Sequence, residues 1–154
     1  MRRSFLKGGT YSYRPENGHR SGLEDTIATQ IADYEEEVYE QSYLKYTIPE
    51  SNHQYTPDFI LSNGIIIEAK GLFTTEDRQK HLYVKKQYPH LDIRFVFQNA
   101  NNKIYKGSKT TYAKWCEKNG FKYASKLIPS VWFLESKKDT TGLLKKKKRG
   151  DKND

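Results

Sequence analysis

The apolar positions along the chain recur at spacings that predict both helices and strands. Residues 21–36 carry leucine, isoleucine and tyrosine at helical spacing, behind a serine that can cap a helix. Residues 38–48 are rich in tyrosine and β-branched residues and predict a strand that ends at a proline. Two short apolar runs, 59–61 and 65–67, flank the turn residues 62–64, which is the pattern of a β-hairpin.

The second half of the chain continues the alternation of helices and strands. The predicted elements are a helix over 76–88, a buried strand over 92–98, a helix over 111–119 that ends at Gly120, and short strands over 103–105 and 121–123. Residues 129–135 fit either a short helix or a strand. This order of elements predicts an α/β or α+β domain with one mixed sheet flanked by helices.

Charge divides the chain of 154 residues into a central domain and two basic ends. We expect residues 1–20 to form a flexible basic arm and residues 136–154 a disordered, lysine-rich tail. The domain between them, 21–135, is nearly neutral and contains a polar connector at 49–53. Basic ends around a neutral body suit a polyanion such as DNA, although such tails can also serve solubility alone.

We expect the basic side chains of the two ends to lie on DNA phosphates. They include Arg2, Arg3, Lys7, Arg14, Arg20, Lys145, Lys146, Lys147, Lys148 and Arg149. His81 is a further candidate for a phosphate contact because it lies close to the hairpin in sequence. The alternative for His81 is an ordinary surface or core histidine.

The composition also excludes several classes of protein. The single cysteine, Cys116, permits no internal disulfide and fits a reducing compartment. No apolar stretch approaches the roughly 18 residues of a membrane span, and the N-terminus lacks the apolar core of a signal peptide. We therefore expect a soluble, cytoplasmic protein without a membrane partner. The four histidines lack zinc-type spacing, and no glycine-rich phosphate loop indicates a nucleotide cofactor.

The predicted hairpin brings candidate chemistry together at one end. If residues 62–64 form a three-residue loop with Gly64 in the left-handed conformation, counting back along both strands puts Asp58 opposite Glu68. Directly opposed side chains lie about 4.5 to 5.5 Å apart at Cβ. Lys70 follows Glu68 by two residues and therefore faces the same side of the sheet. Two carboxylates and an amine would then converge at the end of an apolar hairpin.

Two carboxylates at this distance repel each other unless a proton or a cation compensates. Mg²⁺ suits such a pair because it prefers oxygen ligands and needs only one or two protein carboxylates. A neighbouring lysine stabilises charge on a phosphate or helps to activate water. The alternative is that Asp58 merely begins a strand after Pro57, while Glu68 and Lys70 form an exposed ion pair.

Glu24 has two interpretations at this level. Together with Ser21 it fits a capping box at the start of the first predicted helix, and the local sequence favours this structural role. A role in a site with the hairpin carboxylates needs more than local sequence.

Several short motifs supply a more specific signal. They include Ser21-Gly-Leu-Glu24-Asp25, Ser51-Asn52-His53, Tyr55-Thr56-Pro57-Asp58-Phe59, Glu68-Ala69-Lys70-Gly71-Leu72 and Tyr105-Lys106-Gly107-Ser108. With these motifs in the same order, residues 17–135 resemble the bacteriophage endonuclease I family, Holliday-junction resolvases of the PD-(D/E)-x-K nuclease superfamily. The two ends of the chain resemble the family in basic character and not in residues.

The resemblance implies a restriction-endonuclease-like core in a domain-swapped homodimer, with residues 21–48 exchanged through the connector 49–53. It places the catalytic set on Glu24, Asp58, Glu68 and Lys70, against the local preference for Glu24 as a helix cap. It places the metal ligands on Glu24, Asp58, Glu68 and the backbone carbonyl of Ala69. Mg²⁺ is the implied cofactor, with Mn²⁺ able to substitute and up to two ions in each site.

The sequence thus predicts a Mg²⁺-dependent, structure-selective DNA endonuclease that resolves four-way and other branched DNA. The reaction is phosphodiester hydrolysis to 5′-phosphate and 3′-hydroxyl ends. Two alternatives stay open, a sequence-specific restriction-type endonuclease and a non-catalytic architectural protein that binds junctions. The complete set of carboxylates and lysine argues against the architectural protein, and the lack of an obvious base-reading insertion argues weakly against the restriction enzyme.

Overall fold

The computed structural model describes residues 21–48 and 51–146. Its helices are α1 (Gly22–Ala32), α2 (Thr75–Gln87), α3 (Tyr112–Asn119) and a 3-10 helix over Ser130–Leu134. Its strands are β1 (Ser42–Ile48), β2 (Ser51–Tyr55), β3 (Phe59–Ile60), β4 (Ile66–Lys70), β5 (Ile93–Phe97), β6 (Lys122–Ser125) and β7 (Leu144–Lys145). No described helix is both long and apolar enough to cross a bilayer.

The strands form two sheets. The central sheet has the order β3-β4-β5-β6, with β3 antiparallel to β4 and the other three strands parallel. The second sheet has the order β2-β1-β7 and is antiparallel. The prediction of a mixed α/β domain is therefore confirmed. The prediction of one sheet is wrong, because among the described residues β1 pairs with β2 and β7 and forms no ladder with the central sheet.

Helix α1 covers one face of the central sheet. Ile27 and Ile31 pack there with Phe59, Ile67 and Val96. The apolar spacing of α1 explains this contact, since residues four apart lie on the same side of a helix.

The opposite face is covered by α2, α3 and the second sheet. Val84 and Trp115 of the two helices, together with Leu44 of β1, pack in one cluster with Ile66 and Phe95. Both faces of the central strands are therefore covered, which explains why β4 begins and β5 ends with an uninterrupted apolar run and not an alternating one.

The polar connector predicted at 49–53 is wrong for residues 51–53. These residues belong to β2, where Ser51 pairs with Ile48 and Tyr55 with Leu44. The strand lies at the edge of its sheet, and its first four residues are exposed. Polar residues suit such an exposed edge, so their polarity does not distinguish this strand from a loop. Residues 49 and 50 lie outside the described residues.

The tail predicted to be disordered from residue 136 is packed against the domain as far as residue 146. The Lys138 N–H donates to the Asn63 carbonyl at 2.7 Å, and β7 pairs with β1 through Ser42 and Lys145. The prediction is therefore wrong for 136–146. Residues 147–154 and the basic arm 1–20 lie outside the described residues.

Candidate active site

The hairpin has the predicted register. Phe59 pairs with Ile67, the Leu61 N–H donates to the Ile65 carbonyl at 2.8 Å, and Gly64 has a φ of +91°. The same register continues beyond β3 to Asp58 and Glu68. A left-handed glycine at the third loop position therefore sets which carboxylates meet.

Asp58 and Glu68 are joined through the backbone of the hairpin. The Asp58 N–H donates to Glu68 Oε2 at 3.0 Å, and the Ala69 N–H donates to Asp58 Oδ2 at 2.9 Å. The Glu68 carboxylate thus accepts the main-chain N–H of Asp58, and the Asp58 carboxylate accepts the N–H of the residue that follows Glu68. Both side chains are buried, so the two acids occupy fixed positions at the end of the hairpin.

Glu68 is surrounded by groups that favour its charged form. Tyr55 donates its hydroxyl to Glu68 Oε2 at 2.7 Å, while His81 Nε2 lies 3.6 Å and Lys70 Nζ lies 3.8 Å from Oε1. Burial alone would raise the pKa of Glu68, but the interactions with His81, Lys70 and Tyr55 outweigh burial and lower it. Glu68 is therefore the ionised partner of the pair.

Asp58 shows the opposite behaviour. Burial, followed by the charges of Glu68 and Glu24, raises the pKa of Asp58 to about 9, although the Ala69 N–H and the Lys70 ammonium act in the other direction. Without a cation, Asp58 would hold a proton at neutral pH. A divalent cation in this position would replace that proton, since it relieves the same repulsion between carboxylates.

Glu24 joins this site from the first helix. Ser21 caps α1 as predicted, because its hydroxyl oxygen accepts the Glu24 N–H at 3.1 Å. The Glu24 carboxylate instead accepts the Tyr39 hydroxyl at 2.6 Å, and one of its oxygens lies within 4.8 Å of an Asp58 oxygen. The first turn of α1 thus places the Glu24 side chain beside the hairpin.

Glu40 is a member of the site that the sequence reasoning missed. Carboxylate oxygens of Glu24, Glu40 and Asp58 all lie within 4.8 Å of one another. Glu40 has a φ of +49°, and its N–H donates to the Asp58 carbonyl at 3.0 Å. Such a backbone is uncommon for residues other than glycine, and here the contact with Asp58 holds it. The one signal in the sequence was an acidic residue within a run predicted to be a strand.

Lys70 ends β4 beside two carboxylates. Its Nζ lies 3.3 Å from Asp77 Oδ1 and 3.8 Å from Glu68 Oε1. Burial lowers the pKa of Lys70, but the charges of Glu68, Asp77 and Asp58 outweigh burial and raise it. Lys70 therefore stays an ammonium group, which suits stabilisation of a negative phosphate better than removal of a proton from water.

The DNA contact predicted for His81 is wrong. The His81 side chain is completely buried, and its ring packs edge-on against Tyr55 and Phe95 with centroids 5.1 and 4.8 Å away. His81 therefore lies inside the core, where its ring packs beside Glu68. Among the basic residues predicted to contact DNA, Lys145 and Lys146 are exposed at β7, and the other eight lie outside the described residues.

The fold and the site together define a class. An α/β domain with clustered carboxylates and a charged lysine at one corner of its sheet has the oxygen donors that a divalent cation prefers and a positive group for a phosphate. This is the donor set of enzymes that cut phosphodiester bonds.

Comparison with known proteins makes the class specific. The phage endonuclease I family model matches residues 8–152. The chain is 47% identical over 145 residues to endonuclease I of Escherichia phage T7, covering 94% of this chain and 97% of the relative. It is 48% identical over 147 residues to endodeoxyribonuclease 1 of Enterobacteria phage T3, with the same coverage. The chain therefore belongs to the phage endonuclease I family and is a deoxyribonuclease.

Proposed function

We propose that this deoxyribonuclease is a Mg²⁺-dependent, structure-selective endonuclease that resolves four-way junctions and other branched DNA. The observation that carries the proposal is the position of Asp58. One of its carboxylate oxygens lies within 4.8 Å of oxygens of Glu24 and Glu40, its N–H donates to Glu68 Oε2, and its pKa is raised by burial and by the charges of Glu68 and Glu24. A group of this kind requires a proton or a cation to be stable.

The donor set fits Mg²⁺, with Mn²⁺ as a substitute. The residues that would hold the metal are Asp58, Glu24, Glu40 and Glu68, together with the Ala69 carbonyl, with room for up to two ions proposed for the site. When bound, such an ion polarises the phosphate and lowers the pKa of water. Glu40 is an addition to the ligands that the sequence suggested.

The side chains of the protein perform the remaining work. The hydrogen bond from the Tyr55 hydroxyl holds Glu68 in one orientation, with the His81 ring packed beside it, so its carboxylate keeps its position while substrate binds. The Lys70 ammonium would lie against the scissile phosphate and stabilise the additional negative charge of the transition state. Hydrolysis would leave 5′-phosphate and 3′-hydroxyl ends.

The proposal includes a homodimer in which residues 21–48 are exchanged. In the single chain, a Glu24 oxygen lies within 4.8 Å of an oxygen of its own Asp58, and Tyr39 forms an isolated β-bridge with Phe59. Exchange of an identical element would form the same contacts between two chains. The site would then depend on both subunits, with Glu24 and Glu40 supplied by the partner.

One experiment tests the activity and separates it from its two alternatives. A four-way junction and a duplex of matched sequence are incubated with the protein in Mg²⁺ and in EDTA. We expect cleavage of the junction in Mg²⁺ only, and none by Asp58→Asn. Asp33→Asn, an exposed acid at the end of α1, is the matched control and should cut like the wild type.

The other outcomes each contradict the proposal in a different way. Cutting of the duplex at one sequence, independent of the branch, would indicate a restriction-type enzyme. Tight junction binding without cleavage in Mg²⁺ or Mn²⁺ would indicate an architectural protein.

A further inference from the structure

Three loops follow the carboxyl-terminal ends of the parallel strands β4, β5 and β6, which is the side of the central sheet where Lys70 lies. The Gln98 N–H donates to the Lys70 carbonyl at 3.0 Å, and the Lys126 N–H donates to the Phe97 carbonyl at 2.8 Å. The ends of β4, β5 and β6 are therefore adjacent. Residues 71–74 and 98–111 begin next to the catalytic lysine, and residues 126–129 begin one strand further along.

Three large apolar side chains on these loops are exposed. Leu72 is 69% exposed and follows Lys70 by two residues, Tyr105 is 62% exposed in the middle of the second loop, and Leu127 is 51% exposed on the third. Isolated exposed apolar residues are ordinary on protein surfaces. Leu72 and Tyr105 differ from Leu127 because each is adjacent in sequence to a residue bound by the same buried arginine.

Arg78 is that arginine. Its Nη1 donates to the Phe73 carbonyl at 2.6 Å and to the Ile104 carbonyl at 3.3 Å, and its Nη2 donates to Thr75 Oγ1 at 3.0 Å. The guanidinium is buried, so it fixes the loop after β4 to the loop after β5. Leu72 and Tyr105 are thus held on a common support at the catalytic edge.

The surroundings of Tyr105 are basic. The loop 98–111 contains three lysines and no acidic residue. Lys103 Nζ donates to the Ser108 carbonyl at 3.2 Å and closes the loop, whereas Lys106 and Lys109 are exposed. An exposed aromatic ring with flanking lysines suits a nucleic acid, because the ring offers a face for a base and the lysines attract phosphates.

We propose that Leu72 and Tyr105 stack on base pairs whose faces are exposed at the branch point, while Lys106 and Lys109 hold the phosphates of an adjoining arm. In a continuous duplex each base pair is covered on both sides by its neighbours. At a branch the stack of base pairs ends, so an apolar side chain can cover the open face of the last base pair or insert into the base step. This contact would select branched DNA over duplex, and it rests on the proposed function.

The test compares junction and duplex for variants at the exposed positions. Binding to a four-way junction and to a duplex of the same sequence is measured in EDTA, and single-turnover cleavage is measured in Mg²⁺. Tyr105→Ala should lower the ratio of junction to duplex affinity about tenfold, as expected for loss of one stacked base, and Leu72→Ala should lower it less. Cleavage of the junction at low enzyme concentration should fall in parallel.

Matched variants isolate the stacking contact. Tyr105→Phe keeps the ring and should retain the wild-type ratio. Leu134→Ala removes an apolar side chain that is 81% exposed at the opposite edge of the sheet, next to the Glu135 that binds Arg94, and should also leave the ratio unchanged. The double variant Lys106→Ala, Lys109→Ala should weaken both DNAs alike and flatten the salt dependence of binding.

A wild-type ratio in both Tyr105→Ala and Leu72→Ala would overturn the inference. Equal loss of junction and duplex binding in these two variants would overturn it as well, since selectivity would then lie elsewhere. Failure of the proposed function gives a different result, in which the wild-type protein itself does not cut the junction in Mg²⁺.

Discussion

Lys70 lies closer to Asp77 than to Glu68, with Nζ 3.3 Å from Asp77 Oδ1 and 3.8 Å from Glu68 Oε1. Asp77 also closes the capping box of α2, because its Oδ2 accepts the Thr74 N–H at 3.3 Å and its own N–H donates to Thr74 Oγ1 at 3.1 Å. One carboxylate therefore ties the start of α2 to the end of β4. We infer that Asp77 acts on the site through Lys70, as a positioning residue.

We predict that Asp77→Asn slows cleavage about tenfold or more, because misplacement of a positioned group by about 1 Å can cost two orders of magnitude. The amide oxygen of asparagine can still accept the Thr74 N–H, so the helix cap is retained. The measurement is the single-turnover rate at saturating enzyme, together with junction affinity and the thermal unfolding midpoint.

Glu76→Gln, one residue earlier in the same helical turn, is the control and should cleave like the wild type. If Asp77→Asn cleaves at the wild-type rate, Asp77 only caps its helix. A lower unfolding midpoint together with slow cleavage would point to damage of the fold.

The second prediction concerns Arg94, a fully buried arginine near the start of β5, at the end of the strand away from Lys70. Its Nη2 lies 2.7 Å from Asp92 Oδ2 and 2.8 Å from Glu135 Oε1, and Trp132 lies beneath the guanidinium. We predict that Glu135→Gln lowers the free energy of unfolding at pH 7 by about 2 kcal/mol, the scale for hydrogen bonds to a charged group. Urea unfolding measures this change.

The same contact makes the free energy of unfolding depend on pH in the acid range. Hydrogen bonds from Arg94 and Lys138 lower the pKa of Glu135 from its usual 4.5 to about 2. A lowered pKa contributes stability that is complete above pH 4.5 and is lost as pH falls towards 2. The wild type should therefore lose more stability than Glu135→Gln between pH 5 and pH 3. The exposed Glu36→Gln is the control, and equal losses in wild type and Glu135→Gln would contradict the prediction.

The parts of the fold that follow from short-range sequence were predictable. The hairpin register depends on a loop of three residues that includes Gly64, and the cap of α1 on Ser21. The start of α2 near Thr74 and the end of α3 at Gly120 likewise follow from capping residues. In each case, the residues that determine the structure lie within a few positions of one another.

The parts that were missed depend on distant contacts. Strand β7 pairs with β1 across about a hundred residues, and the sequence around Lys145 resembles any polar tail. Glu40 enters the site because its N–H binds the Asp58 carbonyl. His81 is polar in sequence, yet aromatic neighbours bury it. Such contacts have no signature within the segments that make them.

The third prediction concerns the basic ends. Since residues 136–146 pack on the domain, a truncation that spares the fold ends at residue 146. Removal of residues 147–154 or of residues 1–16 should weaken junction binding and flatten its dependence on salt. Each lost phosphate contact should reduce the slope of log K against log salt by about 0.9. The rate at saturating enzyme should change much less.

A full-length variant in which Lys147, Lys148 and Arg149 are replaced by serine separates the effect of charge from the effect of chain length. It should reproduce the shallower slope of the shorter chain. An unchanged slope in both proteins would mean that this end does not contact phosphates.

The last prediction tests the exchanged dimer. One chain carries Glu24→Ala and a second, with a different tag, carries Asp58→Ala, and the two are co-expressed so that subunits reassort. With exchange, one composite site receives both substitutions, and the other combines the unaltered Glu24 of one chain with the unaltered Asp58 of the other. This heterodimer should nick one strand of a four-way junction. The measurement is strand-specific nicking by the doubly tagged fraction.

Without exchange, each site in the heterodimer carries one substitution, and the doubly tagged fraction stays inactive. Each mutant homodimer must be inactive alone, because otherwise nicking does not report a mixed site. Nicking by the heterodimer alone would therefore mean that Glu24 serves the Asp58 of the partner. An inactive heterodimer of confirmed composition would assign Glu24 to the Asp58 of its own chain, which is the arrangement found within the single chain.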